Sequence, residues 1–448
     1  MRLAEQRKIV ALSQNCQENI IKLLCSIGSL NNVNNPNELF VESFAARAPS
    51  LRVAIVTETF PPEVNGVAMT LGRIVDGLLQ RGHAIQVVRP RQAKEANPVS
   101  RAGLDEVLST GVPVPAYGEL RFGLPSKNRL IKLWSEKRPD IVHVVTEGPL
   151  GWSAVAAARA LQIPVTSSFH TNFQSYSQHY GIGLFKKPIE GYLKKLHNRT
   201  QATLVPTRAM VAELQSRGYN NVSLMSRGVA TDQFHPDRRS RALRATWGVE
   251  PNTLVAIHVG RLAKEKNIAL VISAFRAIQT RVPDAKLVFV GDGPLRKQVE
   301  VACPDAIFAG VRKGAELAMH YASGDLFLFP SLTETFGNVV PEALASGLAV
   351  LSYAHAAAKE LITDGSNGAL VTKTDEFEFI DAAVALALDP VKLARIRYAA
   401  PTSVAHVGWD AVYDSFVETL SGVLERHGRQ FTQLSQPVQA TPLSQSSA

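Results

Sequence analysis

One alternation, repeated twice, constrains this chain more than any other feature. Short β-branched or apolar runs are separated by longer stretches of helical character. In the first half the runs are LRVAIVT (51–57), AIQVVRP (84–90), DIVHVV (140–145), IPVTSSF (163–169) and ATLVP (202–206). In the second they are TLVAIHVG (253–260), AKLVFVG (285–291), AIFAG (306–310), DLFLFP (325–330) and LAVLSY (348–353). Apolar runs of strand length joined by helices are the pattern of parallel sheets covered on both faces, because parallel strands need a crossover and bury both sides. Two such series in 448 residues predict an α/β chain with two similar domains. The polar stretch SRGVATDQFHPDRRSR (226–241) separates them, as a hinge or as the first strand and loop of the second domain.

Composition removes several function classes. No apolar run nears the roughly 18 residues of a membrane span, and the charged N-terminus MRLAEQRKIV does not read as a secretory signal. The reading is a cytoplasmic protein. The three cysteines, Cys16, Cys25 and Cys303, form no C-x-x-C pair, which speaks against a disulfide framework and a cysteine zinc site. The net charge of +9 suits a phosphate, an acidic membrane surface or nucleic acid. No recognised nucleic-acid module accompanies it, so no nucleic-acid partner is expected. Both ends lack a hydrophobic pattern, which predicts poor order over residues 1–50 and in a tail over 427–448.

In open α/β sheets ligands bind beyond the carboxyl ends of strands, and the motifs fall there. After DLFLFP comes PSLTETFGNVVPEALASG (330–347), in which Pro341 marks a helix start and Gly347 its stop. Unpaired N–H groups near Gly337, Asn338, Val339 and Val340 would favour an anion. A plain loop-to-helix junction is the alternative. Glu334 and Glu342 flank this turn, as an acid/base pair or as something else. After TLVAIHV, GRLAKEKN places Arg261 and Lys266 at a strand's carboxyl end, where both suit phosphate. Asn65-Gly66, after the first strand, starts a helix that ends before Gly82 and offers a counterpart in the first domain. GDGPLR (291–296) reads as a structural turn, with no third glycine for a dinucleotide fingerprint.

Taken in order, TETFPPEVNGV, TEGPLG, SFHTNF, SRGV, HVGRLAKEKN, GDGP, FAGV and the E-x7-E pair Glu334/Glu342 resemble a GT-B glycosyltransferase. The family is the large retaining one that includes bacterial mannosyl- and glucosyltransferases and plant-type sulfolipid synthases. The match spans residues 51 to 424. The resemblance implies two Rossmann-like domains with parallel sheets facing a central cleft. These are an acceptor-binding domain over 51–226 and a nucleotide-sugar-binding domain over 227–405, followed by a helix over 406–426. It implies that Arg261 and Lys266 hold the diphosphate of a UDP- or GDP-sugar, helped by main-chain groups at Gly337, Asn338 and Val339 and by Gly66. Glu334 would contact the donor sugar, Glu342 the ribose hydroxyls, Val311 and Arg312 the base, and His170 would lie beside the transferred sugar. Neither glutamate is then a general acid. No cofactor and no metal are implied. The chain departs from the family's usual pattern at Ala230, where an aspartate is common, and at His355-Ala356-Ala357-Ala358, where two glycines are common.

GLFKKPIEGYLKKLHNR (183–199) places Phe185, Ile189, Tyr192, Leu193 and Leu196 at helical spacing among lysines. It reads as contact with an anionic membrane carrying a lipid or glycan acceptor, hence peripheral attachment at the inner face of the cytoplasmic membrane. The alternative is a domain helix with its apolar face in the core. The rival functions are a glycosidase, which leaves Arg261 and Lys266 unexplained, and a membrane-associated sugar-nucleotide sensor or scaffold without turnover.

Overall fold

The computed structural model describes residues 50–63, 65–92, 98–114, 117–170 and 186–434. The extension up to residue 49, the tail from residue 435, Thr171 to Phe173 of SFHTNF and residues 183–185 of the basic stretch lie outside them.

The first lobe carries β1 (Arg52–Val56), β2 (Ala84–Pro90), β3 (Ser100–Arg101), β4 (Leu104–Ser109), β5 (Gly111–Val114), β6 (Tyr117–Gly123), β7 (Ile141–Val144), β8 (Val165–Ser168), β9 (Ala202–Val205) and β10 (Val222–Leu224). Eight of these form one sheet in the order β10-β9-β8-β7-β1-β2-β4-β3, and β5 pairs with β6 as a hairpin. Every pairing in the large sheet is parallel except β3 with β4. The second lobe carries β11 (Val255–Val259), β12 (Lys286–Val290), β13 (Ile307–Gly310), β14 (Leu326–Phe329), β15 (Ala349–Tyr353) and β16 (Ala369–Val371), all parallel, in the order β13-β12-β11-β14-β15-β16.

Alternation along a strand explains why both faces read as apolar. Val53 and Ile55 of β1 enter one core, and Ala54 and Val56 enter the other. Val288 and Val290 of β12 pack on one side of the second sheet, Leu287 and Phe289 on the opposite side. Each sheet is thus a middle layer between helices. The GT-B architecture of two parallel-sheet lobes is the one implied by the resemblance.

Four details depart from the sequence reading. Residues 226–241 hold no strand; they contain a 3₁₀ turn at Pro236–Arg238 and an isolated bridge from Val229 to Gly408. The last helix runs Trp409–Leu434, further than 406–426, and returns to the first lobe, where Phe416, Leu420 and Val423 complete its core. Strands β3 to β6, β10 and β16 were not expected. The basic helix, Lys186–His197, turns its apolar face inward: Leu193 packs with Val205, Leu214 and Tyr219, and Leu196 joins a sheet core. That face is unavailable to a membrane. Tyr192, counted with it, instead lies outside and stacks on Trp152 at 5.2 Å.

Candidate active site in the interlobe cleft

Strand order locates the site before any side chain does. In the second sheet the chain moves outward from β11 to β12 and β13, then returns to β14 on the other flank of β11. The loops after β11 and β14 therefore diverge and leave a crevice, the usual ligand position in a doubly wound sheet. Arg261 and Lys266 follow β11, and Glu334 to Val339 follow β14. The first sheet has its own reversal between β1 and β7.

Lys266 is paired with Glu334 across that crevice, and the Ser331 hydroxyl donates to the same Glu334 oxygen at 2.8 Å. Leu332 N–H donates to Glu265 O at 3.0 Å, so the two loops are also joined through the backbone. Gly337 follows with φ +87°, a left-handed conformation that suits glycine, and turns the chain back over Glu334. Asn338 then stands at the start of the helix Val339–Ala345 without capping it through its side chain, with Pro341 in the first turn, and Val340 N–H, expected to be free, donates to Gly337 O at 3.0 Å. Arg261 is exposed at the end of β11. Its loop is held from below by the Gly291 turn: a Cβ on Gly291 would lie 1.9 Å from Gly260 O. The structural role expected for GDGPLR is thus to support the loop that carries Arg261.

Val311 and Arg312 follow β13, two strands out from β11. At roughly 4.8 Å per strand this is about 10 Å from the crevice. Val311 is exposed, and Arg312 donates to Glu316 at 3.3 Å. Glu342 lies deeper, where the fully buried Tyr321 hydroxyl donates to it at 3.0 Å. Burial pushes its carboxyl up to about 7, partly offset by the Tyr321 bond and the charge of Arg73 from the first lobe.

The first lobe reaches the same place from the ends of β1 and β8. Asn65 caps the helix Gly66–Gln80, its side chain accepting from Val67 N–H and Ala68 N–H. Two of that helix's first amides are thereby taken, which leaves Gly66 as the point of close approach. His170, two residues past β8, accepts at its carbonyl from Thr335 Oγ1 at 2.9 Å, a bond between the lobes.

Arg227 was not singled out from the sequence, yet it joins the expected residues. It is 6% exposed, donates through Nη2 to His170 Nδ1 at 3.3 Å and through Nη1 to Asn338 Oδ1 at 3.4 Å, and faces the Phe336 ring at 6.0 Å. Its Nη1 is 3.7 Å from the position a Cβ on Gly66 would take. An arginine can only donate, so His170 Nδ1 is the acceptor and the imidazole proton sits on Nε2. Burial, reinforced by the Arg227 charge, holds that imidazole well below its usual value and therefore neutral.

The first lobe adds Glu58, at the end of β1. It accepts from Leu150 N–H at 3.3 Å, and burial raises its carboxyl to about 7. Among the described residues no group of three or more His, Cys, Asp or Glu is arranged to hold a metal ion, and no helix is long and apolar enough to cross a membrane.

Comparison with known proteins identifies the family. The family model described as Glycosyltransferase Family 4 matches residues 64–233, and that described as Glycosyl transferases group 1 matches residues 253–389. A GDP-mannose-dependent alpha-mannosyltransferase of Corynebacterium glutamicum is 34% identical over 87% of this chain and 92% of its own length. An alpha-monoglucosyldiacylglycerol synthase of Streptococcus pneumoniae is 28% identical over 71% of this chain and 75% of its own length. Among solved structures, a sucrose-phosphate synthase from Thermosynechococcus elongatus superposes with a TM-score of 0.69 at 15% identity, covering 84% of this chain and all of that one. That superposition carries the fold alone.

Proposed function

Because the chain belongs to the retaining GT-B glycosyltransferases of family 4, we propose that it moves a hexose from a nucleotide-diphosphate sugar to a hydroxyl of a lipid or lipid-linked acceptor. GDP-mannose is the first donor to test and UDP-glucose the second, following the names of the relatives. The observation that carries the reading is the convergence of Lys266, Glu334, Asn338, Arg227 and His170 on one cleft between two lobes.

In this reading the diphosphate lies at the reversal between β11 and β14, against Lys266 and Arg261, with Gly337, Asn338 and Val339 beside it and Gly66 opposite. The bond from the sugar's C1 to the β-phosphate oxygen breaks, and its electron pair stays on the phosphate. The acceptor oxygen bonds C1 on the same face, and its proton passes to the departing phosphate oxygen. Stabilising that oxygen's charge is the chief task, and side-chain cations already in place cost no reorganisation. They supply the charge that would otherwise call for a metal. Glu334, whose Oε1 receives both Lys266 and Ser331, is arranged to accept further hydrogen bonds from sugar hydroxyls. That disfavours a glycosidase acid. Glu342 takes the ribose hydroxyls, and Val311 and Arg312 take the base at the sheet edge. His170, with its proton on Nε2, donates to the sugar.

The acceptor side falls to the first lobe. With the apolar face of Lys186–His197 in the core, attraction to an anionic membrane rests on exposed Lys187 and Lys195 and on the Trp152–Tyr192 stack.

Thermal denaturation with GDP, UDP and ADP tests the donor site. A ligand at a hundredfold its Kd adds about 2.7 kcal/mol of apparent stability. One nucleoside diphosphate should shift the midpoint, Lys266→Ala should lose the shift, and the matching sugar conjugate should support transfer to diacylglycerol in anionic vesicles. No shift with any of the three would end the proposal.

A further inference from the structure

Arg227 is a buried cation without a matching anion. Its partners are an imidazole held neutral and an asparagine amide, at 3.3 Å and 3.4 Å, both near the long end of a hydrogen bond. Its Nε is buried with no partner among the described residues. The nearby carboxylate that acts on it, Glu334, is already bound to Lys266 and Ser331. Burial pulls the guanidinium down to about 10 even against the opposing charge of Glu334. Such a charge is costly to keep unless something negative completes it.

Its placement is not accidental to the backbone. Gly228 packs directly against Trp409, and Val229 N–H bonds to Val407 O at 3.0 Å, so the hinge is fixed on the side away from the cleft. The side chain is thereby directed between Gly66 of one lobe and the Phe336–Asn338 turn of the other. These are the same backbone segments that the proposed function sets around the diphosphate.

We propose that Arg227 is a third phosphate-binding cation of the transfer reaction, forking onto the β-phosphate of the donor and stabilising it as it leaves. This rests on the nucleotide-sugar reading above. On binding, the weak contacts to Asn338 and His170 are supplemented by charge-assisted bonds to phosphate oxygens, which are shorter and stronger. Because the guanidinium also holds His170 Nδ1, it keeps the Nε2–H tautomer available while the sugar's C1 loses its bond to phosphate.

The test compares wild type, Arg227→Gln and Arg227→Lys in the full chain. Glutamine removes the charge and ends two bonds short of the guanidinium nitrogens, so it also gives up the bonds to His170 and Asn338, whereas lysine keeps the charge and most of the reach. Calorimetry with the nucleoside diphosphate and with the matching monophosphate separates the terminal phosphate from the rest. The expected result for Arg227→Gln is a loss of about tenfold or more for the diphosphate and less than twofold for the monophosphate. Its kcat should fall by about a further hundredfold, as when one preorganised oxyanion donor is removed. The ligand-free thermal midpoint should hold or rise, since an unmatched buried charge is gone. Arg227→Lys should keep part of the diphosphate preference, and it carries the test if the glutamine variant fails to fold. Unchanged diphosphate affinity, or equal loss of both nucleotides, would overturn the assignment to the β-phosphate. A fall in midpoint with unchanged affinities would make Arg227 a hinge clamp only. If wild type binds no nucleotide, the underlying donor-site reading fails as well, and that is visible before any variant is made.

Discussion

Replacing Glu342 by glutamine should stabilise the empty protein and disable it. The carboxyl is raised from 4.5 to about 7 by burial, against the opposing effects of Tyr321 and Arg73. A carboxyl with a raised folded value prefers the protonated form in the native state. Its favourable contribution is fully present below the unfolded value, declines as pH rises, and is gone above about 7. Two and a half units at 1.36 kcal/mol each give about 3 kcal/mol. Glu342 retains some solvent contact, so this is a ceiling. Glutamine stays neutral and can still accept from the Tyr321 hydroxyl. The variant should therefore match wild type near pH 4.5 and exceed it increasingly up to pH 8, by about 1–3 kcal/mol.

Urea unfolding of both proteins at pH 4.5, 6 and 8 measures this directly. Glu58 is also raised to about 7, but it is common to both proteins and cancels in the difference. Binding runs the opposite way. If ribose hydroxyls donate to Glu342, the ionised form binds better, so nucleotide affinity in wild type should climb as pH rises towards 7 and then level off. In Glu342→Gln it should be weak and flat. A stability difference that does not grow with pH would refute the burial argument. Wild-type affinity in the variant would refute the ribose role.

Two further substitutions probe the support of the site. Asp325 gathers Arg239 at 2.9 Å, Arg244 at 3.3 Å, Arg397 at 2.8 Å and Val255 N–H at 2.9 Å around one carboxylate at the amino ends of β11 and β14. Asp325→Asn should cost about 3 kcal/mol in urea unfolding, the low end for a broken buried ion pair because Arg239 and Arg397 keep some solvent, with nucleotide Kd unchanged. Gly291→Ala would drive a Cβ into Gly260 O and displace the loop bearing Arg261, lowering diphosphate affinity as well as stability. Gly248→Ala is its control: it has a positive φ and no atom within 4 Å of the added carbon, so it should cost only about 1–2 kcal/mol and leave binding intact.

What could be read in advance divides along a physical line. Strands buried on both faces announce themselves, as β1, β12 and β14 did, because nearly every residue in them is apolar whatever its neighbours are. Strand β4 did not, since Asp105 and Glu106 interrupt it. Glu106 is tolerated there because Arg89 of the adjacent β2 pairs with it at 3.1 Å, both side chains nearly buried, and a sequence does not state which strands are adjacent. Strands β10 and β16 have three residues each, too few for any period to show. The basic helix carried the same ambiguity in another form: periodicity says that one face is apolar, not what covers it. The site obeys the same rule. Arg261, Lys266 and Glu334 could be put forward from the sequence because each lies just past the carboxyl end of a recognisable strand. Arg227 was not, because Gly66, His170 and Asn338 come from three distant segments that only the two reversals of strand order bring within its reach. A residue placed by one strand can be put forward from sequence, whereas one placed by the order of two sheets needs the fold, and Arg227, between Gly66, His170 and Asn338, is of the latter kind.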